Sequence, residues 1–205
     1  GFIFYIKHVH LGSLITYLAL ALSYLFALLS KEYSLVLPLL LLFYHYSFKI
    51  RLRFKYFLPL LIILFFYVLL RLSVLKGLLP SSSVKDTLFQ RLPGFFLALF
   101  EYLRLLVLPF DLHMEYGYKW FKFTEPKAIL GFLMLLWMLS SIFRKKSPHG
   151  IIFFSISWFL LALLPQSNLF SLNAYMAEHW LYLPSVGFFL ILAYGLNHLC
   201  RIRRL

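Results

Sequence analysis

PQSNLFSLNAYMAEHWLYLPSVG, residues 165–187, separates two long apolar runs and is the longest polar-bearing interruption in the C-terminal third. Asn168, Asn173, Glu178 and His179 fall within it, close to segments of membrane length. Polar groups at the edge of hydrocarbon cost free energy unless water, a partner or a ligand satisfies them. As plain connection, the stretch is a loop between two spans, with Pro165 and Pro184 marking the helix ends. As chemistry, it is a polar rim on which a ligand can rest. The flanks decide the fold.

Composition settles what the flanks are. Of 205 residues, 62% are hydrophobic, 20% aromatic and only 13% charged. A soluble domain carries roughly 25% charged residues, so this chain is expected to lie in a membrane. The 24 Phe and 14 Tyr suit lipid-facing spans and interfacial belts. A formal net charge of +13 suggests nucleic acid in a soluble protein. Here the cations gather at the ends of apolar runs, which points to bilayer orientation and anionic headgroups, with no nucleic acid. Cys200, the single cysteine, can form no internal disulfide and reads as a small hydrophobe. The chain opens on Gly1 instead of Met, so a fragment or processed product is expected.

Outward from the opening stretch, Gly150–Gln166 and Trp180–Cys200 are the last two spans. Leu11–Ser30, Tyr33–Phe48, Tyr56–Leu75 and Ala128–Phe143 are the others. Basic clusters free of acid lie at 49–55, 144–146 and 201–204. If all three face the cytoplasm, six spans close consistently, provided Gly94–Phe110 does not cross. That segment, within an outer loop region at 77–127, is then a re-entrant or interfacial helix. Its 17 residues are short of the roughly 20 that a span prefers, and Glu101 and Arg104 are costly at mid-bilayer. The expected fold is an all-α transmembrane bundle of about six spans plus one outer helix, taken as a single domain over 1–205. All seven acids then fall on the outer side or in that helix. The outer face is the expected working face.

Several residues there can carry chemistry. Glu101 and Arg104 are three apart, share a helical face and can pair; a free Arg104 would suit a phosphate better than any other side chain in the chain. Lys31–Glu32 presents two charges at an outer turn. Asp111, Glu115 and Tyr116 follow Pro109, where the outer helix should stop. The acids leave a divalent cation open without supplying the oxygen-ligand spacing of a calcium loop. His8, His10, His45, His113, His149 and His198 show no metal-ligand spacing, and there is no Gly-rich phosphate loop or nucleophile elbow.

SKEYSLVLPLLLLFYH (30–45), QRLPGFFLALFEYLRLLVLPFDLHMEYGY (90–118) and LPQSNLFSLNAYMAEHWLYLPSVGF (164–188) occur in this order in one family. On these blocks the chain resembles the membrane region of the transmembrane and tetratricopeptide-repeat proteins, which include bacterial members and the animal protein O-mannosyltransferases. The resemblance implies a GT-C type glycosyltransferase that transfers a sugar from a polyprenyl-phosphate donor to a protein or glycan acceptor. It implies an integral, multi-pass protein of the bacterial inner membrane or the endoplasmic reticulum, active on the extracytoplasmic side, with no cofactor. Lys31 and Glu32 match the family's Ser-Lys-Glu turn; Arg91, Tyr102–Arg104, Pro109 and Glu115–Tyr116 match its outer-helix block. Ser167–Asn168, Ala177–Glu178 and Leu181–Ser185 match the third block. His179 stands where the family usually has arginine. The resemblance thus makes Lys31, Arg91, Arg104 and His179 candidates for the donor phosphate, with Glu32, Glu115 and Glu178 orienting them or the sugar.

The family's catalytic carboxylate is expected on a loop upstream of Gly1, and its repeats after Leu205, so no catalytic residue is assigned and the domain is expected to be incomplete. A transporter or channel subunit is the rival, but transport paths carry ionisable groups at mid-membrane and most spans here lack them. A non-catalytic membrane scaffold is the third reading.

Overall fold

The computed structural model describes residues 1–75, 87–143, 150–169, 172 and 174–202. Ser81–Ser83, Asp86, Arg144–Lys146, Asn173, Arg203 and Arg204 lie outside the described residues, as does the side chain of Glu32. The described chain is all helical, as expected. It comprises α1 (Phe2–Leu11), α2 (Leu14–Ser30), α3 (Leu37–Phe48), α4 (Phe54–Leu75), α5 (Leu88–Val107), α6 (Pro126–Phe143), α7 (Gly150–Leu163) and α8 (Tyr182–Ile202). Short 3-10 turns span Glu32–Val36, Leu164–Gln166 and Glu178–Leu181. The chain divides into two compact units, Gly1–Pro80 and Ser81–Leu205.

In the first unit the run expected as Leu11–Ser30 is broken at its start. Gly12 adopts φ 63°, a conformation open to glycine, and its N–H caps α1 at the His8 carbonyl. Ser13 then opens α2, its hydroxyl accepting from the Ile15 N–H at 3.3 Å. His8 Nδ1 donates across the corner to the Ser13 carbonyl at 3.1 Å and to Thr16 Oγ1 at 3.0 Å. The core joins Tyr5, Leu20, Tyr24, Leu28, Leu41, Tyr56, Phe57 and Leu60. Within it the Tyr5 hydroxyl meets His45 Nε2 at 2.7 Å, while His45 Nδ1 donates to the Ile50 carbonyl at 3.0 Å.

In the second unit α5 starts six residues before the expected Gly94 and ends three before Phe110. Gln90 Oε1 accepts from both the Thr87 N–H and the Thr87 hydroxyl, each at 2.9 Å, and so fixes the first turn. Pro93 lies inside the helix without ending it. At 20 residues α5 is no longer short, so length gives no reason to keep it out of the bilayer; its charges still do. Pro184, by contrast, does mark a helix end, the start of α8. It occupies the first turn of α8, where its missing N–H would have had no helical partner.

Two glycines set the helix spacing here. A Cβ on Gly131 of α6 would stand 1.8 Å from the Phe96 carbonyl oxygen of α5. One on Gly187 of α8 would stand 2.4 Å from the Ser155 carbonyl oxygen of α7. Both contacts are with backbone, and small residues permit such close approach in membrane helix pairs. Trp158 Nε1 also donates to the Leu183 carbonyl at 2.9 Å, tying α7 to α8.

Among the described residues two helices, Phe54–Val74 and Glu178–Arg201, are long and apolar enough to cross a membrane. At 1.5 Å per residue they reach about 31 and 36 Å, against a hydrocarbon thickness of about 30 Å. Most of their side chains face outward, with Phe65 and Phe66 exposed on α4 and Phe189 and Leu196 on α8.

Candidate functional site

The C-terminal turn of α5, the loop after it and the strand-like segment before α8 build one cleft in the second unit. α5 ends at Val107, and the chain turns through Pro109 and Asp111, the latter in the left-handed region at φ 55°. Residues 115–117 then pair antiparallel with 175–177. The Tyr116 N–H donates to the Met176 carbonyl at 3.1 Å, and the Tyr175 N–H to the Gly117 carbonyl at 3.0 Å. Tyr102 docks this ribbon onto α5. Its hydroxyl donates to the Ala177 carbonyl and accepts from the Ala177 N–H, each at 3.2 Å.

The cleft encloses about 360 Å³ and is lined by Glu101, Arg104, Asp111, His113, Tyr116, Lys127 and Tyr175. Glu101 is its electrostatic centre. Arg104 Nε donates to one carboxylate oxygen at 2.5 Å, as the i, i+3 spacing anticipates, and Lys127 Nζ donates to the other at 2.6 Å. Burial alone would raise the Glu101 carboxyl, but the bonds and charges of Lys127 and Arg104 outweigh it and hold the group below its ordinary value. Arg104 rises above its own, chiefly through its bond to Glu101. Arg104 Nη1 also reaches the Phe110 carbonyl at 3.2 Å, closing the end of α5.

Glu178 braces the opposite wall. Its Oε1 accepts from the His113 N–H at 2.5 Å and lies 3.1 Å from the Tyr116 hydroxyl. That hydroxyl is equally close to the Asp111 carbonyl, so its one proton serves one acceptor at a time. Burial and the Glu178 carboxylate push Tyr116 up to about 12. Burial also raises Tyr175. The Asp111 carboxylate lines the cleft and makes no hydrogen bond among the described residues, though its charge acts on Arg104. Two cations face two carboxylates across the lining, so an anion binds only where Arg104 and Lys127 turn part of their charge away from Glu101.

The seven sequence candidates are distributed unevenly. Arg104 is in the cleft and Glu178 supports it. Glu115 is exposed beside Tyr116 and does not line the cleft, because neighbouring residues of an extended segment point to opposite sides. His179 is exposed, with its ring edge-on to Trp180 at 5.8 Å. Arg91 lies ten residues before Glu101 on α5, about 15 Å along the axis, and Nη1 reaches the Asn168 carbonyl at 3.4 Å. Lys31 and Glu32 belong to the first unit. Lys31 is exposed at the end of α2, 5.8 Å over the Tyr33 ring, and Glu32 opens the following turn.

Asp111, named from sequence only as an outer-loop acid open to a divalent cation, lines the cleft, as do Lys127, His113 and Tyr175, which had no site role in the sequence reading. Lys127 lies in the first turn of α6 and reaches Glu101 only through the packing of α6 on α5. Among the described residues no three His, Cys, Asp or Glu side chains are gathered as a metal ion requires. No family model, curated protein or solved structure matches the chain.

Proposed function

We propose that the chain is the membrane-embedded part of a glycosyltransferase that takes a sugar from a polyprenyl-phosphate donor on the extracytoplasmic side, and that the cleft receives the donor's phosphate. The observation that supports this reading most is the meeting of two sequence blocks about 60 residues apart. Residues 101–116 and 175–178, each within a block that carries the family resemblance, join through Tyr102, Tyr116 and Glu178 to wall the charged cleft. In this reading six spans cross the bilayer, α5 lies at the outer surface, and the basic clusters face the cytoplasm. The outward-facing apolar side chains of α4 and α8 suit lipid better than water.

In the transfer, an acceptor hydroxyl oxygen bonds to the anomeric carbon. The bond from that carbon to the phosphate oxygen breaks, and its electron pair leaves with polyprenyl phosphate. The hydroxyl proton passes to a carboxylate base. Arg104 and Lys127 stabilise the charge that grows on the leaving phosphate, and Glu178 holds the loop that shapes the cleft. No residue of the cleft is assigned as the base.

Binding of a polyprenyl phosphate to the purified chain in lipid nanodiscs tests the assignment. Arg104→Gln combined with Lys127→Gln should weaken binding at least tenfold, and Glu101→Gln, which frees both cations, should tighten it. Equal binding of the uncharged polyprenol, or no response to either change, overturns the phosphate site. Sugar transfer by this chain alone would move the base into the cleft, to Asp111.

A further inference from the structure

The first unit carries a charged surface that the transferase reading does not use. FKIRLRFK, residues 48–55, alternates four cations with apolar residues and contains no acid. The structure makes it a built turn. Lys49 ends α3 in the left-handed region at φ 53°, and the Ile50 N–H bonds the His45 carbonyl at 3.1 Å. His45, itself held by Tyr5, returns a hydrogen bond to the Ile50 carbonyl. Arg53 and Lys55 lie over the buried Tyr56 ring at 5.9 and 5.3 Å, and Arg53 also donates to the Tyr56 hydroxyl at 3.2 Å. Lys49 and Arg51 are exposed and have no partner among the described residues.

We infer that this turn is a docking site for the anionic headgroups of bilayer phospholipids. Nothing nearby in its own unit neutralises it. The unit's one acid, Glu32, precedes α3, whose 12 residues put about 18 Å between them, more than twice the screening length of about 8 Å at physiological salt. The turn opens directly into α4, a helix of membrane length whose first turn carries no acid. Phe48, Leu52 and Phe54 are exposed between the cations. A nucleic acid would leave those apolar side chains in water, whereas the boundary between headgroups and acyl chains takes both kinds of group.

The inference rests on the membrane-embedded reading, and the test separates the two. Membranes holding the full chain are washed with alkaline carbonate. Release of the chain overturns the embedded reading and this inference with it. The chain is then purified in detergent with equal amounts of phosphatidylglycerol and phosphatidylcholine, and retained lipid is counted by native mass spectrometry. Phosphatidylglycerol should be retained preferentially. K49N/R51Q should reduce that preference about fivefold per cation removed, about 25-fold in all. Asparagine suits the left-handed backbone at position 49, and both side chains are exposed, so the fold is kept. The charge-preserving pair K49R/R51K should retain the lipid, and millimolar inorganic phosphate should not displace it. A chain that resists carbonate yet retains both lipids equally, ignores K49N/R51Q, or gives up its lipid to phosphate or a short RNA overturns the inference.

Discussion

The two units handle buried polarity in opposite ways. In the first, Tyr5, His45 and Ile50 form a closed relay, and His8 is spent on the corner between α1 and α2. The imidazoles are thus matched, even though the Tyr24 hydroxyl in the same core has no hydrogen-bond partner among the described residues. In the second, Glu101 holds two cations at the wall of an open cleft, beside an Asp111 carboxylate that adds its charge to Arg104's surroundings. The matched set orders its own unit. The other leaves charge at an open cleft where a ligand could compete for it, which is why the phosphate proposal is placed there.

Breaking helix spacing should separate the units most sharply. Gly187→Ala puts a methyl into the α7 backbone, which cannot move aside as a flexible side chain would, and should cost about 3 kcal/mol. All four Trp, at 120, 137, 158 and 180, lie in the second unit, so their fluorescence reports its unfolding alone. A lowered tryptophan midpoint, with a residual helical signal that melts as before, is the expected result. Loss of both together would mean that the units fold as one.

Glu101→Gln comes next, at about 1–3 kcal/mol, since it leaves two cations without their shared acceptor. The pH response has a definite sign. A carboxyl held below its unfolded value of 4.5 gives stability that is complete above that pH and is lost as pH falls through the folded value. The unaltered chain should therefore lose tryptophan-reported stability below about pH 4.5, and Glu101→Gln should flatten that part of the profile. An identical acid limb in both would assign it to other groups.

Tyr5→Phe should have the smallest effect, about 1–2 kcal/mol, by leaving His45 Nε2 buried without its hydroxyl. It should lower a circular-dichroism midpoint while leaving the tryptophan midpoint unmoved. A shift in tryptophan fluorescence would tie the relay to the second unit and erase the contrast.

Apolar run length and basic flanks placed most helix ends within a few residues, because those signals are local. α1 went unread since its ten residues run into α2 with only Gly12 and Ser13 between them, and the left-handed turn there is a property of the fold. The start of α5 was missed because the residues before Gly94 were read as part of the outer loop, whereas Thr87 and Gln90 had already opened the helix. Glu101–Arg104 was legible from spacing. Lys127, 26 residues from Glu101, was not, since only the packing of α6 on α5 brings it there. Glu115 and His179 carried suggestive chemistry in the sequence, yet the alternation of an extended segment and the lip of α8 leave both outside the cleft.

The Tyr102 hydroxyl does for Ala177 what a neighbouring strand would do, meeting its N–H and its carbonyl with one oxygen atom. The amide proton at 177 is therefore guarded by a side chain of another element. In deuterated solvent it can exchange only when α5 and the ribbon part, so its exchange rate counts the openings of the cleft wall at a single residue.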